Sequence, residues 1–234
     1  MLKGLFSPDN PVMRFFIWLG RIWWLNILWL ICCLPVVTIG ASTTALIYSC
    51  MKLRNDEGYP TSNFFHSFKD NLRQSTIIWM IYLAVGAVLA IGIVFWNNAS
   101  MPGAKIFWAF DIALSVFYSL SLLYVFAVQS KFINTVKDTI KYSFFMGFAN
   151  KKYTFMIVLV IAGFVAANIF TIFAVNFISL NIGMAIIVYL ISYHYQRVFD
   201  KYLPHEEAES YLDLIEEGNS EAIEAVKVAE AVEA

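Results

Sequence analysis

The sequence predicts an all-α fold: a polytopic helical membrane protein with about six membrane-crossing helices, or five on a second reading. Two amphipathic helices are expected at its cytoplasmic surface. Three observations carry this. Four apolar runs, Ile22 to Met51, Gln74 to Ala104, Ile106 to Ser130 and Tyr153 to Gln196, contain a single charge between them, Asp111. A crossing needs about 20 apolar residues for a hydrocarbon core of ~30 Å, and the last run is long enough for two. The chain is 60% hydrophobic and 14% charged, whereas a soluble domain has about a quarter of its residues charged. Finally, the charge is lopsided. Residues 204–234 hold ten of the 17 acidic groups and one Lys, while residues 1–203 hold 15 Lys and Arg. The chain therefore divides near Leu203-Pro204 into a helical membrane domain, 1–203, and an acidic cytoplasmic tail, 204–234.

Taking the elements in order, the first apolar run starts too late and is too long and Trp-rich for a cleaved signal segment. Its middle, LPVVTIG, holds Pro35 and Gly40. Proline lacks an N–H and clashes with the preceding turn, and glycine readily starts or caps a helix. A helix from residue 22 to 51 would also be about 45 Å long at 1.5 Å per residue. Two spans, about 12–34 and 38–53, folded back at an outer turn of Pro35, Thr38 and Gly40, fit better. Lys and Arg concentrate on the cytoplasmic side of membrane proteins. With the hairpin, 15 of the 16 Lys and Arg share one side and Lys105 stands alone on the other. An unbroken first helix, the five-span reading, divides them less cleanly. Both termini are thus expected on the cytoplasmic side of a multi-pass cell-membrane protein.

The remaining spans are expected at about 75–97, 106–130, 153–174 and 179–197, with an outer loop at 97–105. Trp23, Trp24, Trp79, Trp96 and Trp108 fall near span ends, where aromatic belts sit. Two charged connectors have helical apolar stripes. In residues 59–74, Phe64, Phe65, Phe68 and Leu72 share a face, with His66, Lys69, Asp70 and Arg73 around the rest and Thr61 or Ser62 as a cap. In residues 131–145, Phe132, Ile133, Val136, Ile140 and Phe144 oppose Asn134, Lys137, Asp138 and Lys141. Such segments lie on lipid or dock a partner; Phe64, Phe65, Phe68, Lys69 and Arg73 are the candidate docking residues.

Asn26, the run from Leu34 to Ala41, Lys52-Leu53, Phe65, Phe68-Lys69 and Asn71 resemble the YesL family of bacterial integral membrane proteins. The resemblance covers about residues 5 to 200 and leaves out the tail. It implies a small multi-span protein of unassigned activity whose genes neighbour carbohydrate-uptake and glycan-degradation genes. It supplies no catalytic residue.

The residues themselves offer little chemistry. Cys32, Cys33 and Cys50 are odd in number and form no CxxC pair, so neither a disulfide framework nor a zinc site is implied. His66, His194 and His205 lack metal-ligand spacing, and no phosphate-binding loop, dinucleotide fingerprint or nucleophile elbow occurs. No catalysis, cofactor, metal or nucleic-acid binding is expected. Asn26, Asp111 and Asn168 are the candidate intramembrane polar residues. An acidic group within a span is a functional candidate, although Asp111 is shallow enough to reach water. Asn26, Asn168, Asn176, Asn181 and Gln129 are read as makers of interhelical or turn hydrogen bonds, with a solute path as the alternative. Asn98-Ala99-Ser100 is a glycosylation triplet of the kind that arises by chance. The expected partners are the lipid bilayer and either a sugar-transporter subunit or further copies of the chain. The expected role is that of a non-catalytic accessory or regulatory protein in carbohydrate uptake, with a small permease or channel as the alternative.

Overall fold

The computed structural model describes residues 11–170 and 179–202. Seven α-helices occur there and no strand: α1 (Pro11–Cys32), α2 (Ile39–Arg54), α3 (Pro60–Asn98), α4 (Ala104–Lys131), α5 (Val136–Ala149), α6 (Lys151–Phe170) and α7 (Met184–Phe199). A 3-10 turn, Val36–Thr38, precedes α2, and a π turn, Ser179–Gly183, precedes α7. The chain forms two compact units, Met1–Tyr195 and Gln196–Ala234. In the second, the Asp200 N–H donates to the Gln196 carbonyl at 2.8 Å. The acidic tail lies outside the described residues.

The first apolar run is broken, and the sequence shows why. The Cys33 N–H closes the last turn of α1 on the Trp29 carbonyl at 2.9 Å, and Pro35 is extended at φ −75° and ψ 116°. The Thr38 hydroxyl then bridges the break, close to both the Cys32 carbonyl (2.6 Å) and the Pro35 carbonyl (2.8 Å). α2 returns antiparallel to α1, since Trp29 Nε1 donates to Thr43 Oγ1 at 3.4 Å and Arg21 lies 3.8 Å from Asp56. α2 is the centre of the fold. Its small residues Ala41, Ser42, Thr44, Ala45, Ser49 and Cys50 are all buried, which lets neighbouring helices approach closely.

The expected surface helix near residue 60 and the span at 75–97 are a single helix, α3, of 39 residues. The change at Gln74 from charged to apolar residues alters the surroundings but not the backbone. Pro60 occupies the first turn, where its missing N–H costs nothing. Tyr59, rather than Thr61 or Ser62, precedes the helix. α3 has two antiparallel neighbours. Against α2, Asn63 Nδ2 donates to the Glu57 carbonyl (2.9 Å), Thr44 Oγ1 meets Ser75 Oγ (3.1 Å), and Trp79 Nε1 donates to the Val36 carbonyl (2.9 Å). Against α4, Gln129 Nε2 donates to Asn71 Oδ1 (2.9 Å), the Tyr118 hydroxyl donates to the Tyr82 carbonyl (3.0 Å), and the Trp96 and Phe107 rings stack at 4.8 Å. Gly103, at φ +89°, makes the positive-φ turn between α3 and α4 that favours glycine.

The second charged connector also differs from expectation. Residues 132–135 are not helical, and α5 starts only at Val136. It runs back along α4 instead of lying wholly on the surface. The Phe117 and Phe148 rings stack at 5.4 Å, Ser121 Oγ meets Ser143 Oγ at 3.1 Å, and Gly147 faces the Leu120 carbonyl. Lys137, Lys141, Phe144 and Phe145 remain outward. Its start is capped by Thr135, whose Oγ1 accepts from the Asp138 N–H at 3.2 Å. Thr135→Ala is expected to lower stability by about 1 kcal/mol, the usual worth of such a cap. Thermal unfolding in detergent measures this, and an unchanged midpoint would dismiss the cap.

Five helices, Pro11–Cys32, Val36–Arg54, Pro60–Asn98, Ala104–Lys131 and Lys151–Ile169, are long and apolar enough to cross a membrane. The segment expected as a sixth span, 179–197, is occupied by the π turn and the 16-residue α7 that continues it. The turn expected near Asn176 lies outside the described residues.

Candidate functional site

One polar grouping within the apolar body lies at the seam of α1 and α2 with the π turn and α7. Asn26 is 0% exposed. Its Nδ2 donates to the Asn181 carbonyl at 2.8 Å and its Oδ1 accepts from the Ala185 N–H at 3.0 Å. A π turn displaces the regular helical hydrogen bonds, and this amide bonds main-chain groups on both sides of its end. One turn lower, Arg54 at the C-terminus of α2 reaches the same helix. Its Nε donates to Ser192 Oγ at 3.2 Å and its guanidinium donates to the Tyr189 carbonyl. The guanidinium also lies over the Tyr189 ring, 4.3 Å from its centre, where the ring face attracts a cation. Trp18 closes the other side of Tyr189 edge-on at 5.3 Å.

The connector after α2 is ionic. Lys52 pairs with Glu57, which also accepts from Asn55 Nδ2 at 2.9 Å. Burial pushes the Glu57 carboxyl up, but hydrogen bonds from Lys52 and Asn55 and the charges of Lys52 and Lys131 together hold it below its ordinary value.

A second polar line ties α3, α4, α5 and α6 together. The Tyr82 hydroxyl meets Ser121 Oγ, which meets Ser143 Oγ. The Tyr124 hydroxyl meets Thr154 Oγ1 at 2.9 Å, and the Tyr195 hydroxyl donates to the Leu123 carbonyl at 2.6 Å. These neutral hydroxyls join helices. Among the described residues, no three His, Cys, Asp or Glu side chains are placed to hold a metal.

The residues singled out in the sequence fall in separate places. Pro35, Thr38 and Gly40 share the turn, and Gly40 packs directly on the Ser75 carbonyl and the Trp79 Cβ. Asp111 lies over Gly92 of α3. Asn168 donates to the Phe164 carbonyl one turn back at 2.8 Å, so its hydrogen bond stays within its own helix, unlike those of Asn26 and Gln129. Phe64 is not on the outward docking stripe. It is 0% exposed on the face that packs inward with Ser67, Ser75 and Ile78, and it stacks on Phe68. Phe65, Lys69 and Arg73 are outward, beside His66, whose ring meets the Asp70 carboxyl. In the sequence Arg54 stands only as a connector charge, and its contacts with α7 are not among the expected ones. Its signal was Tyr189, Ser192 and Tyr193, which recur on one side of the last apolar segment.

Residues 22–93, from α1 through most of α3, match a family model described as "Protein of unknown function, DUF624". Over 209 residues the chain is 25% identical to "Uncharacterized protein YesL" of Bacillus subtilis (strain 168), a match spanning 86% of this chain and 97% of that protein. No solved structure matches the chain. The segment that holds the broken hairpin and Asn26 is therefore the part that the family model recognises, and over most of its length the chain is similar to a protein of unknown function.

Proposed function

We propose that this protein is a non-catalytic accessory or regulatory component that works in the membrane beside a carbohydrate-uptake system. The observation that carries the accessory role is the outward side of the first half of α3. Phe65, Leu72, Lys69, Asp70 and Arg73 are exposed there on a rigid helix whose inner side is fixed against α2. Mixed aromatic and charged side chains on a preorganised surface suit contact with a protein partner. Asn26, Tyr82, Tyr124 and Gln129 Nε2 support the same reading, because their hydrogen bonds join helices. The link to carbohydrate uptake rests on the family resemblance. Affinity purification of the tagged full chain from mild detergent is expected to recover sugar-transporter subunits, and Phe65→Glu with Arg73→Glu to reduce that recovery at least several-fold. Reproducible purification without any transporter subunit overturns the proposal.

A permease or channel is the second reading. Interrupted helices meeting polar groups mark transport pathways, and Asn26 beside the π turn is such a place. Proteoliposomes tested with a panel of oligosaccharides decide the matter, and flux no greater than that of empty vesicles dismisses it.

A further inference from the structure

The two neighbours of α3 overlap only in its middle. α2 follows it from Asn63 to Trp79, and α4 follows it from Asn71 towards Asn98. The break after α1 therefore meets α3 halfway along, where Trp79 Nε1 binds the Val36 carbonyl and Gly40 rests on the Ser75 carbonyl. From Trp79 to Asn98, α3 runs on for about 28 Å at 1.5 Å per residue. That is close to the ~30 Å of a hydrocarbon core. The whole helix is about 57 Å long by the same rise, so one half of it stands outside the core.

The side chains decide which half. Between Arg73 and Lys105 there is no charge, and the outward residues of that half are apolar, with Val88 and Ile91 each 69% exposed. In the first half, His66, Lys69, Asp70 and Arg73 all face outward within eight residues. Each charge at the centre of a bilayer costs about 2.5–3.5 kcal/mol on insertion scales, so Lys69, Asp70 and Arg73 on one side exclude this half. α2 lies alongside that charged half, which removes it from the core as well.

We infer that the bilayer takes about residues 76–98 of α3 and 104–126 of α4, and that the Leu34–Val37 turn docks into the leaflet opposite the 99–103 loop. This puts the turn and the loop on opposite faces, whereas the charge distribution of the sequence predicts both on the outer face. The turn suits the lipid boundary. Leu34 is 80% exposed, Val36 and Val37 are outward beside it, and no charge occurs between Arg21 and Lys52. Trp79, at the start of the apolar half, stands where indole rings mark a membrane interface. α1 and α2 then approach the bilayer as a hairpin from the side of the charged connectors, with an apolar tip in its surface.

The test uses the full chain with Cys32, Cys33 and Cys50 replaced by Ala, and one new cysteine at a time. A membrane-impermeant maleimide is applied to intact cells and to inverted vesicles. Ser100→Cys is expected to react from one face only, and Asp56→Cys from the other. Val36→Cys is expected to be unreachable from the Ser100 face. A polarity-sensitive fluorophore on Val36→Cys is expected to emit as in lipid and to be quenched by nitroxide lipids, while the same fluorophore on Asp56→Cys is not. Reaction of Val36→Cys from the Ser100 face overturns the placement. Water-like, unquenched emission at Val36 overturns the docking of the turn in the leaflet. Ser100 and Asp56 are exposed positions, so their reaction from opposite faces also shows that the protein has inserted in one orientation.

Discussion

Gly40→Ala is expected to lower the unfolding midpoint of the detergent-solubilised protein, whereas Gly20→Ala raises it or leaves it unchanged. A Cβ at Gly40 would lie 2.6 Å from the Ser75 carbonyl oxygen, 2.8 Å from the Trp79 Cβ and 3.0 Å from the Phe126 ring. Two of these three are backbone or backbone-linked atoms of α3 and have no rotamer by which to withdraw. Alanine gains at most about 0.5–1 kcal/mol of helix preference over glycine, while overpacking typically costs about 1–3 kcal/mol. The clash wins, and Gly40→Val is expected to cost more than Gly40→Ala. Gly20 has nothing within 4 Å of its Cβ position, so only the helix preference acts there. Separating α2 from α3 also breaks the Thr44–Ser75 and Trp79–Val36 bonds, which makes the loss cooperative. Equal midpoints for Gly20→Ala and Gly40→Ala would dismiss the close contact.

Asn26→Leu is expected to destabilise the protein by about 1–3 kcal/mol, the cost of leaving buried polar groups without a partner. Both groups affected are main chain, the Asn181 carbonyl and the Ala185 N–H. Hydrogen bonds between membrane helices average less, about 0.6 kcal/mol, because the unfolded chain in the membrane also finds partners. A π turn is poorly placed to find one, which puts this site in the upper range. Asn168→Leu is the matched control, since its amide bonds only to its own helix, and it is expected to change little. Amide exchange at Ala185 should quicken in Asn26→Leu and not in Asn168→Leu. A similar midpoint for the two variants would remove the special role of Asn26.

Much of the helical layout is legible in the sequence, because it depends on local chemistry. Pro35 announces its break, Gly103 its turn, and the uncharged runs their helices. What is not legible depends on which helix lies beside which. The stripe of Phe64, Phe65, Phe68 and Leu72 reads as one apolar face, yet the inward side of α3 follows Phe64, Ser67, Ser75 and Ile78. Small serines carry little hydrophobic signal, and it is their size that admits α2. Gln74 reads as a boundary because polarity changes there, although the helix passes straight through it. The height of the LPVVTIG turn is hidden for the same reason. Apolar length says that a segment is able to enter lipid, while its level is set by the pairing of Gly40 with Ser75. Asn26 was legible as a maker of interhelical bonds. Arg54 was not, since a basic residue just beyond an apolar run looks like any topological charge.

The π turn at Ser179–Gly183 fixes the angular phase of everything that follows it. Each residue advances an α-helix by about 100°, and a π turn takes one residue more than an α turn to reach its hydrogen-bond partner. Winding the same five residues, 179–183, as an ordinary α-helix would swing Tyr189, Ser192 and Tyr195 about a quarter-turn around the axis. Arg54 would then lose both its ring and its hydroxyl, and the Leu123 carbonyl would lose its phenol. This seam is accordingly tuned to how the turn is wound as much as to side-chain identity. Rewinding the turn acts like a slipped tooth in a gear, displacing a whole row of correct residues without altering any of them.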